Sequence, residues 1–431
     1  MHLLLYAPAT SPRLQYICHF VFKELVSVDF VITTDREEFK NYEGVKIMYA
    51  NEGIANDYFT IGNGGLLFEN DIRQQEIDCF QEHDYKAFFK TIGTDFPFDI
   101  FAASFYLLSR FEEYLPHEKD IYGRYAHENS IAFKENFLHL PLINIWVRHL
   151  VKILQSRFPL FSVHPRPFTY IPTYDIDMAF SYKCKGLLRN TGGFVKSPSL
   201  ERIKVLLGLK KDPFDSFEWL NQFHIQNNLQ PIYFFLMAAK NSTYDKNILP
   251  QRKTMGKLIR QHAEKYAIGI HPSWQTGDET ALLKKEKEQL ENISELSVTK
   301  SRQHYIRFNL PKGYRLLMDS GITDDYSMGY GSINGFRASV ASSFNWFDLE
   351  KNEASLLRIH PFCFMEANSF YEQKFTPAQA FDELMQYYSI CKKMEGQLIT
   401  IWHNNFLGTD PQFAEWRDIY ERFIHQLPID I

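Results

Sequence analysis

Apolar residues recur along this chain with two periods, and the pattern breaks at a proline-rich seam. Near the start, residues 3–6 and 28–33 are apolar runs of strand length, with helical spacing over 13–25 between them. Phe101, Phe105, Leu108, Phe111 and Leu115 recur at three- and four-residue steps, as do Ile143, Trp146, Val147, Leu150 and Leu154 behind Pro141. Both sets predict helices with one buried face. Pro159, Pro165 and Pro167 then interrupt regular structure between two well-patterned regions. The expected boundary falls near residue 162, dividing a smaller α/β domain (1–162) from a larger one (163–431).

Beyond the seam, short apolar runs alternate with amphipathic stretches. Strands are expected at 170–174, 232–237, 268–271, 305–308, 358–364 and 398–403, and helices at 251–266 and 281–296. The second helical stretch carries Leu283, Leu290 and Ile293 on one side and lysines and glutamates on the other. Strand–helix alternation predicts a mixed α/β fold with a parallel sheet, open or closed into a barrel. In such folds the active site lies at the carboxyl ends of the strands.

Polar residues stand at several of those ends. Thr173-Tyr174-Asp175-Ile176-Asp177 closes one apolar run, and alternation along a strand puts Asp175 and Asp177 on one face. Two carboxylates that close raise one another's pKa unless a cation lies between them. A working arrangement has one hold a metal while the other takes a proton; the plain alternative is a pair of solvated loop acids. A second run ends on His271 and a third on His403. Ser301-Arg302-Gln303-His304-Tyr305 is a further polar cluster beside an apolar run, followed by Asp324-Asp325 and Gly335-Phe336-Arg337. An arginine beside a catalytic carboxylate keeps it ionised. Aspartate and histidine with one more N or O donor suit zinc or a similar divalent ion with a position open for water.

Composition narrows the class. With 431 residues, two domains are the natural expectation, and 45% hydrophobic content is ample for packed cores. The aromatic share of 16% suits thick cores or surfaces that stack sugars. A net charge of −5 argues against a general nucleic-acid binder. Five scattered cysteines without a CxxC pair argue against a disulfide framework or a cysteine-ligated zinc. The apolar start is too short for a signal segment, and no run nears the roughly 18 apolar residues of a membrane span. The expectation is a soluble, cytoplasmic protein. Ser109-Arg110-Phe111-Glu112-Glu113 reads as a surface salt-bridge cluster. From Lys183 to Lys211 stand eight basic residues and one acid, Glu201, around Gly192-Gly193. A solvated insertion is one reading; a lid contacting a phosphate-bearing or otherwise anionic ligand, or an anionic membrane surface, is the other.

The stretch Thr173–Asp177 resembles the first motif of the polysaccharide deacetylases, carbohydrate esterase family four, whose usual form has adjacent aspartates. The resemblance spans residues of about 165–410, in motif order. It implies a distorted (β/α) barrel in which Asp175 is the base for a metal-bound water and Asp177 a metal ligand. The family's second motif is a histidine pair at i and i+4; His271 matches the first, and Gln275 occupies the second position. The missing ligand is expected from His304 or Gln275, and imidazole is the better donor for a transition metal. Arg302 matches the arginine that steadies the base, Asp324 or Asp325 the acidic fourth motif, and His403 the general acid. The implied activity is metal-dependent, most simply zinc-dependent, removal of an acetyl group from a sugar or glycan intermediate in surface-polysaccharide metabolism. The alternative is an inactive relative that binds glycans or a protein partner. Pro97-Phe98-Asp99 and residues 109–114 resemble an uncharacterised α/β domain found ahead of such deacetylase domains in bacterial proteins.

Overall fold

A computed structural model describes residues 2–164, 166–185, 199–277 and 279–428, and in it the apolar runs assemble into two principal sheets. The first contains β1 (Leu3–Tyr6), β2 (Phe30–Thr33), β3 (Lys46–Tyr49) and β4 (Phe59–Ile61), all parallel, in the order β2-β1-β3-β4. Central β1 is buried along its whole length, as a strand covered on both faces must be. A small hairpin, β5 (Phe80–Glu82) and β6 (Tyr85–Ala87), follows.

The second sheet has nine strands. In chain order they are β7 (Thr169–Ile176), β8 (Ile232–Leu236), β9 (Ala267–His271), β10 (Lys300–Ser301), β11 (Asp324–Asp325), β12 (Phe344–Asp348), β13 (Glu353–Ile359), β14 (Phe364–Met365) and β15 (Gln397–His403). Across the sheet they run β12-β13-β11-β10-β9-β8-β7-β15-β14. Every pairing is parallel except β12 with β13. Among the described residues no ladder joins β12 to β14. Pro172 is tolerated in β7 because pairing with β8 begins only at Thr173, so the missing N–H leaves no gap in that ladder. The two sheets share one apolar core. Tyr16 and Phe105 from the first part pack on Phe347 of β12 at ring separations of 5.0 and 5.1 Å.

Several expected elements change. The run 305–308 is no strand: β10 stops at Ser301, and a helical turn over His304–Ile306 follows. The run 358–364 divides between β13 and β14, at opposite ends of the sheet. The helix from 100 stops at Leu108 because Arg110 turns left-handed, at φ 56°. The expected surface cluster at 109–113 is buried: Arg110 and Glu113 are 1% and 3% exposed. Arg337 explains this. Its guanidinium donates to both carboxylate oxygens of Glu113, at 2.8 and 2.6 Å, while Arg110 Nε donates to Glu113 at 2.7 Å. Charges leave water only when paired this closely. No helix among the described residues is long and apolar enough to cross a membrane.

Candidate active site

Parallel strands bring their carboxyl ends to one rim, and register decides which residues meet there. Asp175 of β7 lies opposite His403 of β15 on one side and Phe234 of β8 on the other, while Leu236 of β8 lies opposite His271 of β9. A cavity of about 310 Å³ opens at this rim and is lined by Asp175, Asp177, His271, His304 and His403 among others.

Asp177, one residue beyond β7, is the hub. Its Oδ1 lies 3.2 Å from His271 Nε2, and its Oδ2 lies 3.5 Å from the Nε2 of both His304 and His403. Each imidazole is oriented from behind through Nδ1. His271 donates to the carbonyl of Arg302 at 2.5 Å, His304 to Asp245 Oδ1 at 3.0 Å, and His403 to Glu366 Oε1 at 2.8 Å. A proton held on Nδ1 leaves Nε2 facing the cavity. Burial raises the Asp177 carboxyl, yet His304, His271 and His403 outweigh it and hold the group well below the usual carboxylate range. Burial pushes His403 down, but the Glu366 and Asp177 carboxylates prevail and raise it to about 10. His304 is likewise raised, to about 9, against its burial, by Asp177 and Asp245.

Asp175 has a different shell. Arg302 Nη1 donates to its Oδ1 at 2.9 Å and to Thr173 Oγ1 at 2.7 Å, while Arg302 Nε donates to the carbonyl of Tyr326 at 3.0 Å. The guanidinium lies over the Phe234 ring, 4.5 Å from its centroid. Arg302 is fully buried; its guanidinium reaches the cleft through Asp175, and its carbonyl orients His271.

Asp177, His271 and His304 form the group suited to a metal ion: their ligand atoms lie within 4.8 Å of one another. Gln275 does not join them. Its Nε2 donates to Asp245 Oδ2 at 3.0 Å, so it steadies the acid behind His304. Burial pushes Asp245 up, but the hydrogen bonds from His304 and Gln275 bring it down to about 2.

Asp324 is not brought to the cleft. Its strand lies four places from β7 across the sheet, with β8, β9 and β10 between, and its carboxylate pairs with His360 Nε2 at 2.8 Å. Asp325 is buried beside it, accepting from Ser327 Oγ at 2.8 Å. Asp245 sits in the loop after β8 and Glu366 directly follows β14; local sequence singles out neither. The first part of the chain supplies Tyr122 and Arg124 to the cavity wall beside Tyr244 and Tyr305. In the basic segment, Lys210 pairs with Glu201, and Lys211 lies 4.0 Å from Asp215 and 3.7 Å from Glu218. None of the segment's described basic side chains lines the cavity. Arg189, Lys196 and Gly192-Gly193 lie outside the described residues.

Residues 3–159 are similar to a family of unknown function, DUF7033. No curated protein matches the chain. Among solved structures, a Mycobacterium smegmatis protein described as a polysaccharide deacetylase is 14% identical, over 61% of this chain and 86% of its own, with a TM-score of 0.40. The polysaccharide deacetylase Bc1974 from Bacillus cereus is 11% identical, over 61% and 88%, at a TM-score of 0.32. A mutant of BA3943, a CE4 family pseudoenzyme with restored enzymatic activity, is 9% identical, over 61% and 64%, also at 0.32.

Proposed function

We propose that this chain is a metal-dependent hydrolase that removes an acetyl group from an N- or O-acetylated sugar or glycan intermediate, acting on a cytoplasmic precursor in surface-polysaccharide metabolism. One observation carries the reading. Two carboxylates with separate shells, Asp175 on Arg302 and Asp177 among three imidazoles, open on one cavity beside the imidazole of His403, which Glu366 holds from behind.

The donor set fits a divalent ion, zinc in the first place. One carboxylate and two imidazoles are the usual three protein ligands of an open zinc site, and both imidazoles have acceptors fixing Nδ1. Asp177 Oδ1 is enclosed and accepts no hydrogen bond despite its nearness to His271, as expected of an oxygen reserved for a cation. When bound, the ion supplies a Lewis acid that polarises the acyl oxygen and acidifies a water in the cleft. Proton and metal compete for the Nε2 of His304.

Asp175 takes the proton from the attacking water. Arg302 holds that carboxylate in one orientation, with Thr173 sharing the same guanidinium. His403 gives the proton at Nε2 to the leaving amine or alcohol, and Glu366 stabilises the imidazolium until it does so. Tyr122, Tyr244 and Tyr305 form an aromatic wall suited to the apolar face of a sugar ring. We read the nine-stranded sheet as a distorted barrel open between β12 and β14. The division near residue 162 would then separate it from an accessory part that completes the cavity wall.

The test is metal content together with acetate release from N- and O-acetylated oligosaccharides. Zinc near one equivalent with release of acetate supports the proposal. A protein that binds no metal and frees no acetate would instead be the inactive glycan- or partner-binding relative.

A further inference from the structure

We propose that the exposed face of residues 199–211 docks on an anionic lipid bilayer, an inference independent of the chemistry in the cleft. The helix Leu200–Leu206 buries Val205 but leaves Leu200, Ile203 and Leu206 exposed. The turn that ends it, with Gly208 at φ 75°, leaves Leu207 and Leu209 exposed as well. Leu200, Leu207 and Leu209 are 77%, 69% and 75% exposed. Scattered single apolar residues need no explanation, but five within ten positions make a patch that monomeric proteins rarely leave in water.

Charge chooses the occupant. Arg202, Lys204, Lys210 and Lys211 surround these leucines with Glu201 as the only acid in 199–211, although the whole chain carries a net charge of −5. Lysine is depleted in protein–protein interfaces, whereas leucines interleaved with lysines are what an interfacial helix presents to anionic headgroups. In the ion pairs of Lys210 with Glu201 and of Lys211 with Asp215 and Glu218 the lysines are exposed and Glu201 and Asp215 half-buried, and pairs that solvent reaches are weak enough to yield to a charged surface. The patch is also firmly seated. Asp212, directly after Lys211, accepts backbone N–H groups from Ser181, Tyr182 and Lys183 at 2.7, 2.8 and 3.0 Å. Those residues continue the loop from Asp177 and Met178, which line the cavity, so the apolar face stands beside the rim that carries the candidate site.

The experiment is co-sedimentation of the full chain with vesicles of phosphatidylcholine containing about one third phosphatidylglycerol, against phosphatidylcholine alone. The chain is expected to sediment with the anionic vesicles and stay in the supernatant with the neutral ones. Leu206→Ser with Leu207→Ser, and separately Lys204→Glu with Lys210→Glu, should each lower partitioning about tenfold. All four side chains are exposed, so unchanged circular-dichroism melting curves check that the variants fold. Failure of the wild type to bind anionic vesicles overturns the proposal, as does undiminished binding by both variants. Lipid-free dimers that the leucine variant abolishes would identify a second copy as the occupant and overturn it equally.

Discussion

The guanidinium of Arg124 donates from Nη1 to the carbonyl of Tyr305 at 2.7 Å, across 181 residues of sequence. Tyr305 and Ile306 both have left-handed backbones, at φ 59° and 54°, and directly follow His304. Side-chain-bearing residues held there cost on the order of 1–3 kcal/mol each, so something outside the turn must maintain it. Arg124 is itself fixed by Asp120 Oδ2 at 2.6 Å and lies over the Tyr122 ring, 4.6 Å from its centroid. A Cβ at Gly331 would overlap its guanidinium, so glycine there keeps the space open. A segment from the first part of the chain thereby braces the turn that presents a candidate metal ligand from the second.

Arg124→Ala is therefore expected to weaken zinc binding about tenfold, in the range seen when groups supporting a ligand are removed. Arg124→Lys should recover part of the loss, because an ammonium can reach one carbonyl but cannot also bridge to Asp120. Competition with a chromophoric chelator measures both. Affinity unchanged in Arg124→Ala would mean that the turn holds its shape unaided.

The cleft was legible wherever a short apolar run ends in a polar residue. Asp175, His271 and His403 occupy such ends, and Asp177 and His304 follow closely after theirs. Strand order was not legible. Asp324 follows a comparable pattern, but nothing local tells that β11 lies four places away from β7. Asp245 and Glu366 were missed because their partners His304 and His403 are 59 and 37 residues distant. The burial of Arg110 and Glu113 is hidden from local sequence for a similar reason: Arg337, which permits it, lies 224 residues from Glu113. Local sequence reports the end of an element; the partner that meets it is set by topology.

Asp175→Asn keeps the side chain's size and its contact with Arg302 but removes the base. Acetate release should fall by about 10²–10⁴-fold, the usual contribution of a positioned proton acceptor, with zinc content unchanged. Asp177→Asn should lose zinc and activity together. A metal-free Asp175→Asn alongside an active Asp177→Asn would reverse the two assignments.

The acids behind the histidines should separate in their effects. Glu366→Gln leaves an acceptor for His403 Nδ1 but removes the charge that sustains the imidazolium, so kcat should fall about 10- to 100-fold while zinc stays bound. Asp245→Asn acts on His304, and zinc affinity should fall by a similar factor. Metal titration beside turnover resolves the pair. Equal loss of zinc in both variants would place His403 among the ligands and remove it as the proton donor.

The buried charges at Glu113 predict how stability depends on pH. Burial raises this carboxyl, but Arg337 and Arg110 overcome it and lower the group from 4.5 to about 2. A carboxylate depressed in the folded state contributes stability that is fully present above about 4.5 and lost as pH falls toward about 2, because the unfolded chain takes up the proton first. Glu113→Gln removes that contribution at every pH and leaves Arg337 without its bidentate partner. Breaking a buried pair in this way costs about 3–5 kcal/mol. The variant should therefore melt well below wild type at neutral pH, and the gap should narrow steadily as pH falls through about 4.5 toward about 2. Thermal unfolding of both proteins across that range measures it. A gap that stayed constant would show that Glu113 stabilises the fold through packing and hydrogen-bond shape, with its charge contributing nothing.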